Sequence, residues 1–278
     1  MTSLTLEPQK IIQFSTTHRP KQVSCLSDWQ WVKRIKQALV KNQFCLYLQQ
    51  ASALQTLDFR QYYEVLLRLR DDEGNLIPPA IFLPIAERYQ LMPQVEKWVF
   101  QAFLEQLSQA NSRVLENCRF AINLSEFHLI NYQFIEHFHQ YLMDFGVATE
   151  AVCFEIQENT ALSNLKLASD FITELQGLGY CFALDNCGSR MSSFTYLKHL
   201  PVDYLKIDTG FVKNIKKDLT DRAIVEMINY IGQIMGLQTI AKGVESKEIL
   251  TEITTVGVDY AQGYYLAQPQ PMNLSQLL

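Results

Sequence analysis

"CFALDNCGSRMSS", residues 181–193, opens on a short apolar run, Cys181 to Leu184, ends it on the carboxylate of Asp185, and continues into a small polar loop. An unbroken apolar run of this length, bounded by turn residues, fits a strand buried on both faces, as in a parallel sheet. In an α/β fold such a strand delivers its last side chain to the mouth of a site. The neighbours Asn186, Cys187 and Arg190 are unusual company for an acid meant to hold a metal.

The same pattern recurs outward in both directions. Strand-like runs are "FCLYLQ" (44–49), "YYEVLLRL" (62–69), "RFAINLS" (119–125), "VCFEIQE" (152–158), "YCFALD" (180–185), "DYLKID" (203–208), "LQTIAK" (237–242) and "VDYAQGYY" (258–265). Helix-like stretches such as 94–109, 126–145, 164–177 and 221–235 lie between most of them. That alternation predicts an α/β fold with a largely parallel sheet. Eight strands in one domain favour a closed, TIM-like (β/α)8 barrel over an open doubly wound sheet. The connection over 50–61 is too short for a crossover helix, so the first two strands are expected to pair antiparallel.

Residues 28–42 predict an amphipathic helix capped by Ser27 or Asp28, with Trp31, Ile35 and Leu39 on one face. Residues 1–27 contain one strand-like piece, "KIIQF", and are expected to form a tail or linker ahead of a domain spanning 28–278.

Apolar residues make up 48% of the 278, enough for a sizeable core, and the net charge of −5 comes without any block of like charge. A duplex nucleic-acid surface is therefore not expected, whereas a local basic pocket for a phosphate ligand is compatible with it. The six cysteines are scattered and form no C-x-x-C pair, which predicts reduced core residues of a cytoplasmic protein. No apolar stretch approaches a membrane span.

Each expected strand carries a polar residue near its end: Gln49, Glu64, Asn123, Glu155, Asp185, Lys206 with Asp208, Lys242 and Gln262. In a parallel barrel these ends converge on one face. Period-two alternation places Glu64, Leu66 and Arg68 on one side of their strand, so a guanidinium suited to phosphate accompanies the acid. Glu64, Asn123, Glu155 and Asp185 form an oxygen-only set suited to Mg²⁺, Mn²⁺ or Ca²⁺ and poor for zinc. Any one of them alone caps a strand or pairs with a nearby Lys or Arg. Four at four successive strand ends fit a common site better. His137 and His139 lie two apart on a helix and do not share a face. The "GLG" at 177–179 lacks the third glycine of a dinucleotide loop.

Together these residues resemble the EAL-domain family of bacterial cyclic di-GMP phosphodiesterases and their non-catalytic relatives. The matches are Glu64-Val65-Leu66 with Arg68, "PPAIFLPIAERYQLM" (78–92), "INLS" (122–125), "FEIQE" (154–158), "LPVDYLKID" (200–208), "GVE" (243–245) and "QGYYLAQP" (262–269). The resemblance implies a ligand over the C-terminal face of the barrel. It implies Glu64, Asn123, Glu155 and Asp185 as ligands of a first Mg²⁺ or Mn²⁺, and Lys206 as the active-site lysine. Gln49, Leu66 and Arg68 would contact the nucleotide. Gln262 would hold solvent near the metals, Glu158 would support the loop after Asp185, and Glu245 would complete an acidic rim.

Two departures from the family pattern bear on activity. A loop that reads roughly Asp-Asp-Phe-Gly-Thr-Gly in active members is Asp185-Asn186-Cys187-Gly188-Ser189-Arg190 here, so a bridging charge is lost and a cation replaces a permissive glycine. The family's Glu-Gly-Val-Glu is Lys242-Gly243-Val244-Glu245, an acid turned into a base. Lys242 either faces a phosphate as a fixed positive charge or fills the site by pairing with Glu155, Asp185 or Glu245. The expectation is a degenerate domain that serves as a cyclic di-GMP receptor or protein-interaction module with little or no hydrolysis. The alternatives are a genuine metal-dependent phosphodiesterase producing pGpG, and a partner-binding module that takes no nucleotide. Residues 10–27 also resemble the run-out of a GGDEF-like domain, and the family implies a possible homodimer.

Overall fold

The computed structural model describes residues 26–55, 60–130, 132–189 and 194–277. Its ten strands are β1 (Phe44–Ala53), β2 (Gln61–Arg70), β3 (Leu76–Ile77), β4 (Cys118–Leu124), β5 (Val152–Gln157), β6 (Cys181–Cys187), β7 (Tyr204–Ile207), β8 (Gln238–Lys242), β9 (Tyr260–Gln262) and β10 (Gln270–Pro271). Strands β2 and β4 to β9 run parallel in sequence order, and β1 closes the barrel by pairing antiparallel with both β2 and β9. All eight strands expected from the sequence are present, and the irregular one is β1. The two-residue strands β3 and β10 were not anticipated; they flank the barrel on β2 and β1.

The interior of the barrel is a packed layer, as a barrel of eight short strands requires. It is built from Ala51, Tyr62, Ala121, Cys153, Ala183, Tyr204, Ile240 and Tyr260. Side chains two residues apart on a strand share a face, so each parallel strand that fills this layer presents its next inward residue one level up. Tyr62 is followed by Glu64, Ala121 by Asn123, Cys153 by Glu155 and Ala183 by Asp185. Tyr204 is followed by Lys206, Ile240 by Lys242 and Tyr260 by Gln262. On antiparallel β1 the order is reversed, and Gln49 precedes Ala51. The polar residues therefore stand on an aromatic and aliphatic floor, held there by period two alone.

The outward faces of the strands bury Phe120, Phe154, Phe182 and Leu205 against the surrounding helices, including Met92–Ser108, Tyr132–Asp144, Leu165–Gln176 and Leu219–Met235. The expected first helix is Asp28–Lys41, capped by Ser27 in a capping box with Gln30. It packs Trp31 and Ile35 onto a smaller cluster with Phe44, Leu69 and Phe82. The boundary expected at 27/28 adjoins residues 1–25, which lie outside the described residues, as do "KIIQF" and the GGDEF-like match over most of 10–27. The described cysteines, Cys45, Cys118, Cys153, Cys181 and Cys187, are all unpaired. No helix among the described residues is long and apolar enough to cross a membrane.

Candidate functional site

At the C-terminal end of the barrel the polar side chains form one connected network. The Lys206 ammonium is fully buried and donates to Glu155 Oε1 at 2.5 Å and to Glu64 Oε2 at 2.8 Å. Gln262 Nε2 donates to the same Glu64 oxygen at 2.8 Å, and Asn123 Nδ2 lies 3.3 Å from Glu64 Oε1. Gln49 is tied to the amide of Gln262 at 3.4 Å and to the carbonyl of Ala267 at 2.9 Å. Beneath them the Tyr62 hydroxyl donates to Glu155 Oε1 at 3.0 Å. Sequence reasoning passed over Tyr62 because a buried aromatic in a strand signals packing first.

Lys242 lies on the other side of the mouth. Its ammonium is hydrogen-bonded to Asp185 Oδ1 and, at 2.6 Å, to Asn186 Oδ1. Of the three acids open to it from sequence, Asp185 is the partner. Glu245 is instead paired with Lys213 at 2.7 Å, and both are about half exposed. Asn186 holds a positive φ of 57°, which asparagine tolerates better than most residues. The turn after it is closed by Gly188 at φ +90°, where a Cβ would lie 2.9 Å from Ile228 Cδ1. Glu158 anchors that loop as the family resemblance implies, accepting from Ser189 Oγ at 3.1 Å and from the Tyr196 hydroxyl. Arg190 is outside the described residues. Asp208 is not part of the mouth; it caps the helix Thr209–Asn214 by accepting from Gly210 N.

The charges nearly cancel: two ammonium groups face three carboxylates. Burial would raise the Glu64 carboxyl, but Lys206 and Lys242 outweigh it and hold it down at about 2. Glu155 shifts the other way, raised by burial and then by the negative charge of Glu64. Burial opposes the charge of Lys206, yet Glu155, Glu64 and Asp185 together raise its pKa. The shifts of Lys206 and Glu155 are both upward because the ammonium is shared, and Glu155 is the acid left undercompensated. Its second oxygen is buried and has no hydrogen-bond partner among the described residues.

The donors are right in kind for a divalent cation but wrong in arrangement. Glu64 and Asp185 each already accept from an ammonium, and among the described residues no three acidic, histidine or cysteine side chains stand together as a metal site. A cation brought within about 4 Å of Lys242 meets ~4 kcal/mol of repulsion per unit charge at an effective dielectric near 20. Lys206 and Lys242 thus occupy carboxylate oxygens of Glu64, Glu155 and Asp185, three of the four side chains from which a metal was expected. Arg68 sits half-buried on the rim, its guanidinium 5.6 Å from the Tyr47 ring centroid and donating to the Leu67 carbonyl.

Two pockets open at this face, and both touch Glu64 and Leu66. One, of about 540 Å³, runs from β2 past Pro79, Leu83 and Glu87 to Asn123 and Glu126. The other, of about 230 Å³, is lined by Gln49, Lys213, Lys242, Glu245 and Tyr264.

Comparison with known proteins matches residues 32–269 to the EAL domain family model. The chain is 40% identical over 242 residues to the cyclic di-GMP phosphodiesterase PdeB of Shewanella oneidensis, an alignment covering 87% of this chain and 28% of that protein. It is 32% identical over 241 residues to the cyclic di-GMP phosphodiesterase PdeF of Escherichia coli, covering 87% of this chain and 32% of the relative. The chain thus spans about a third of the length of these curated relatives. Among solved structures it is similar to the PaMucR phosphodiesterase in complex with c-di-GMP, with TM-score 0.81 and 29% identity over 90% of this chain and 100% of the other. It is also similar to the FimX EAL domain from Pseudomonas aeruginosa bound to c-di-GMP, with TM-score 0.78 and 29% identity over 86% of this chain and 96% of the other.

Proposed function

Since the chain belongs to the EAL domain family, we propose that it is a cyclic di-GMP receptor domain that holds the dinucleotide without hydrolysing it. The observation that carries the reading is the Lys242 ammonium between Asp185 and Asn186. Two of its three donors are engaged in the protein and it lines the pocket beside Glu64 and Tyr264. A third donor is left for a phosphate oxygen. Arg68 supplies a second cation on the rim, and Gln49 and Leu66 stand where the resemblance puts nucleotide contacts. Mg²⁺ or Mn²⁺ has no part in this reading. Phosphodiesterases of the family are generally metal-dependent, so an ammonium bonded to Asp185, where the resemblance puts a metal ligand, supports recognition over turnover. A GGDEF-like domain or a second copy of the chain as signalling partner belongs to the same proposal.

Calorimetry with cyclic di-GMP in EDTA tests the binding, and chromatography for pGpG with Mg²⁺ or Mn²⁺ tests the chemistry. The expected outcome is binding that weakens with added salt, because the contacts are to phosphate, and no linear product over many enzyme equivalents. Steady, EDTA-sensitive product would establish the second reading, a true phosphodiesterase. That reading is favoured by Glu64, Asn123, Glu155, Asp185 and Lys206 all standing at the mouth. Absence of binding at high nucleotide concentration would leave a partner-binding module.

A further inference from the structure

The two pockets at the mouth differ in chemistry, although cyclic di-GMP has two identical halves. The larger pocket has apolar walls, among them Leu66, Pro79 and Leu83, and four carboxylates, Glu64, Glu87, Glu96 and Glu126. No Lys, Arg or His lines it. Two of those carboxylates are already engaged. Glu64 accepts from Lys206, Gln262 and Asn123, and buried Glu96 accepts from the backbone and hydroxyl of Ser125 with His128 3.0 Å away. Glu87 and Glu126 are exposed on the pocket wall and are left to accept from a ligand. The smaller pocket carries Lys213 and Lys242, and its two carboxylates, Glu64 and Glu245, already accept from Lys206 and Lys213; the exposed ring of Tyr264 adds a stacking surface that accepts any base face.

From this asymmetry we propose that the domain specifies only one of the two bases of its ligand as guanine, reading it in the larger pocket with Glu87 and Glu126. The inference rests on the cyclic dinucleotide reading given above. The Watson–Crick edge of guanine offers two adjacent donors, N1–H and the N2 amino group, to acceptor-only carboxylates. Adenine offers one donor and, beside it, the N1 lone pair, which a carboxylate repels. A site built to accept hydrogen bonds rejects a ligand lacking the donors far more strongly than an apolar pocket rejects a changed shape. The second base, over Tyr264, meets a pocket whose carboxylates are already engaged by lysines, so stacking is what holds it. A hybrid dinucleotide can therefore place its guanine in the larger pocket and its adenine over Tyr264.

The test is a competition series on the intact chain with cyclic di-GMP, 3′,3′-cyclic GMP–AMP and cyclic di-AMP, in EDTA. The hybrid should bind within about fivefold of cyclic di-GMP, and cyclic di-AMP should bind about 100-fold or more weakly, the scale of discrimination lost when polar groups are left unpaired. Glu87→Ala and Glu126→Ala, both at exposed positions, should shrink the gap between cyclic di-GMP and cyclic di-AMP at least about fivefold for one or both. A hybrid as weak as cyclic di-AMP overturns the proposal, since both bases would then be specified. Discrimination unchanged in both variants overturns it as well. Binding of none of the three would sink the receptor reading itself, an outcome distinct from either.

Discussion

Lys206 and Glu155 form an ion pair at 2.5 Å with neither side chain reaching solvent. The pair sits on the barrel's inner layer and is shared with Glu64 beside it and Tyr62 beneath. Removing one member of a buried pair leaves its partner uncompensated, which is costlier than the pair itself is favourable.

Lys206→Ala should therefore destabilise the fold by about 3–5 kcal/mol, the range for breaking a buried pair. Lys206→Ala with Glu155→Gln should recover part of that loss, because the stranded charge goes with it. Urea unfolding of the single and double variants measures both effects. A single variant as stable as the parent would show that the acids take up protons at little cost.

Acidity should act on the site with two opposite signs. Glu64 is depressed to about 2, so its stabilisation is complete above its ordinary carboxylate value and is lost as pH falls toward 2. Glu155 is raised, by burial and then by Glu64, so ionising it is harder in the folded chain than in the unfolded one, and stability declines as pH rises above its ordinary carboxylate value. Glu155→Gln should flatten the curve between pH 5 and 7 and leave the acid limb in place. Parallel curves for parent and variant across that interval would refute the assignment.

Metal affinity should be recoverable by charge. Lys242→Glu with Asn186→Asp removes one positive charge and adds two negative ones around the same oxygen donors. Titration with Mn²⁺ followed by calorimetry should show binding in the double variant, weak or absent binding in each single, and marked non-additivity, since both changes act on one ion. Arg190→Gly is the next change to add. A folded triple variant that gains no metal affinity would place the defect outside this charge balance.

Arg68→Ala should weaken cyclic di-GMP binding by about 1.5–3 kcal/mol, the range for a hydrogen bond to a charged group, and should flatten its salt dependence. The guanidinium is braced by Tyr47 and the Leu67 carbonyl, so Arg68→Lys should rescue the loss only in part. Full affinity in the alanine variant would remove Arg68 from the phosphate contacts.

Gly263→Ala should be severely destabilising. A Cβ at this position would run into the backbone of Val244, which has no rotamer by which to yield. Overpacking of this kind typically costs about 1–3 kcal/mol or more. The midpoint of thermal unfolding reports it, and an unchanged midpoint would mean that the loop holding Val244 moves freely.

The barrel was legible because its strands are short apolar runs, each ending in one polar residue. Strands β3 and β10 were not, since two residues carry no period. The helix Pro79–Arg88 hid behind its prolines at 79 and 84, and Thr209–Asn214 behind the acid that caps it. At the mouth, residue types could be placed on a common face but not paired. Whether Lys242 met Glu155, Asp185 or Glu245 depends on the lateral offset of neighbouring strands, and β6 carries a register irregularity between Leu184 and Cys187. Glu245 went to Lys213, on the helix Thr209–Asn214 three elements upstream, a contact without any local sequence signal.

The two-residue step between the barrel's inner layer and its mouth separates what the fold needs from what the chemistry needs. Tyr62, Ala121, Cys153, Ala183, Tyr204, Ile240 and Tyr260 hold the strands together whether or not the residue above each is an acid, an amide or an amine. The upper tier can therefore change one position at a time while the scaffold below keeps its shape. Catalysis can drift away, and recognition can be inherited.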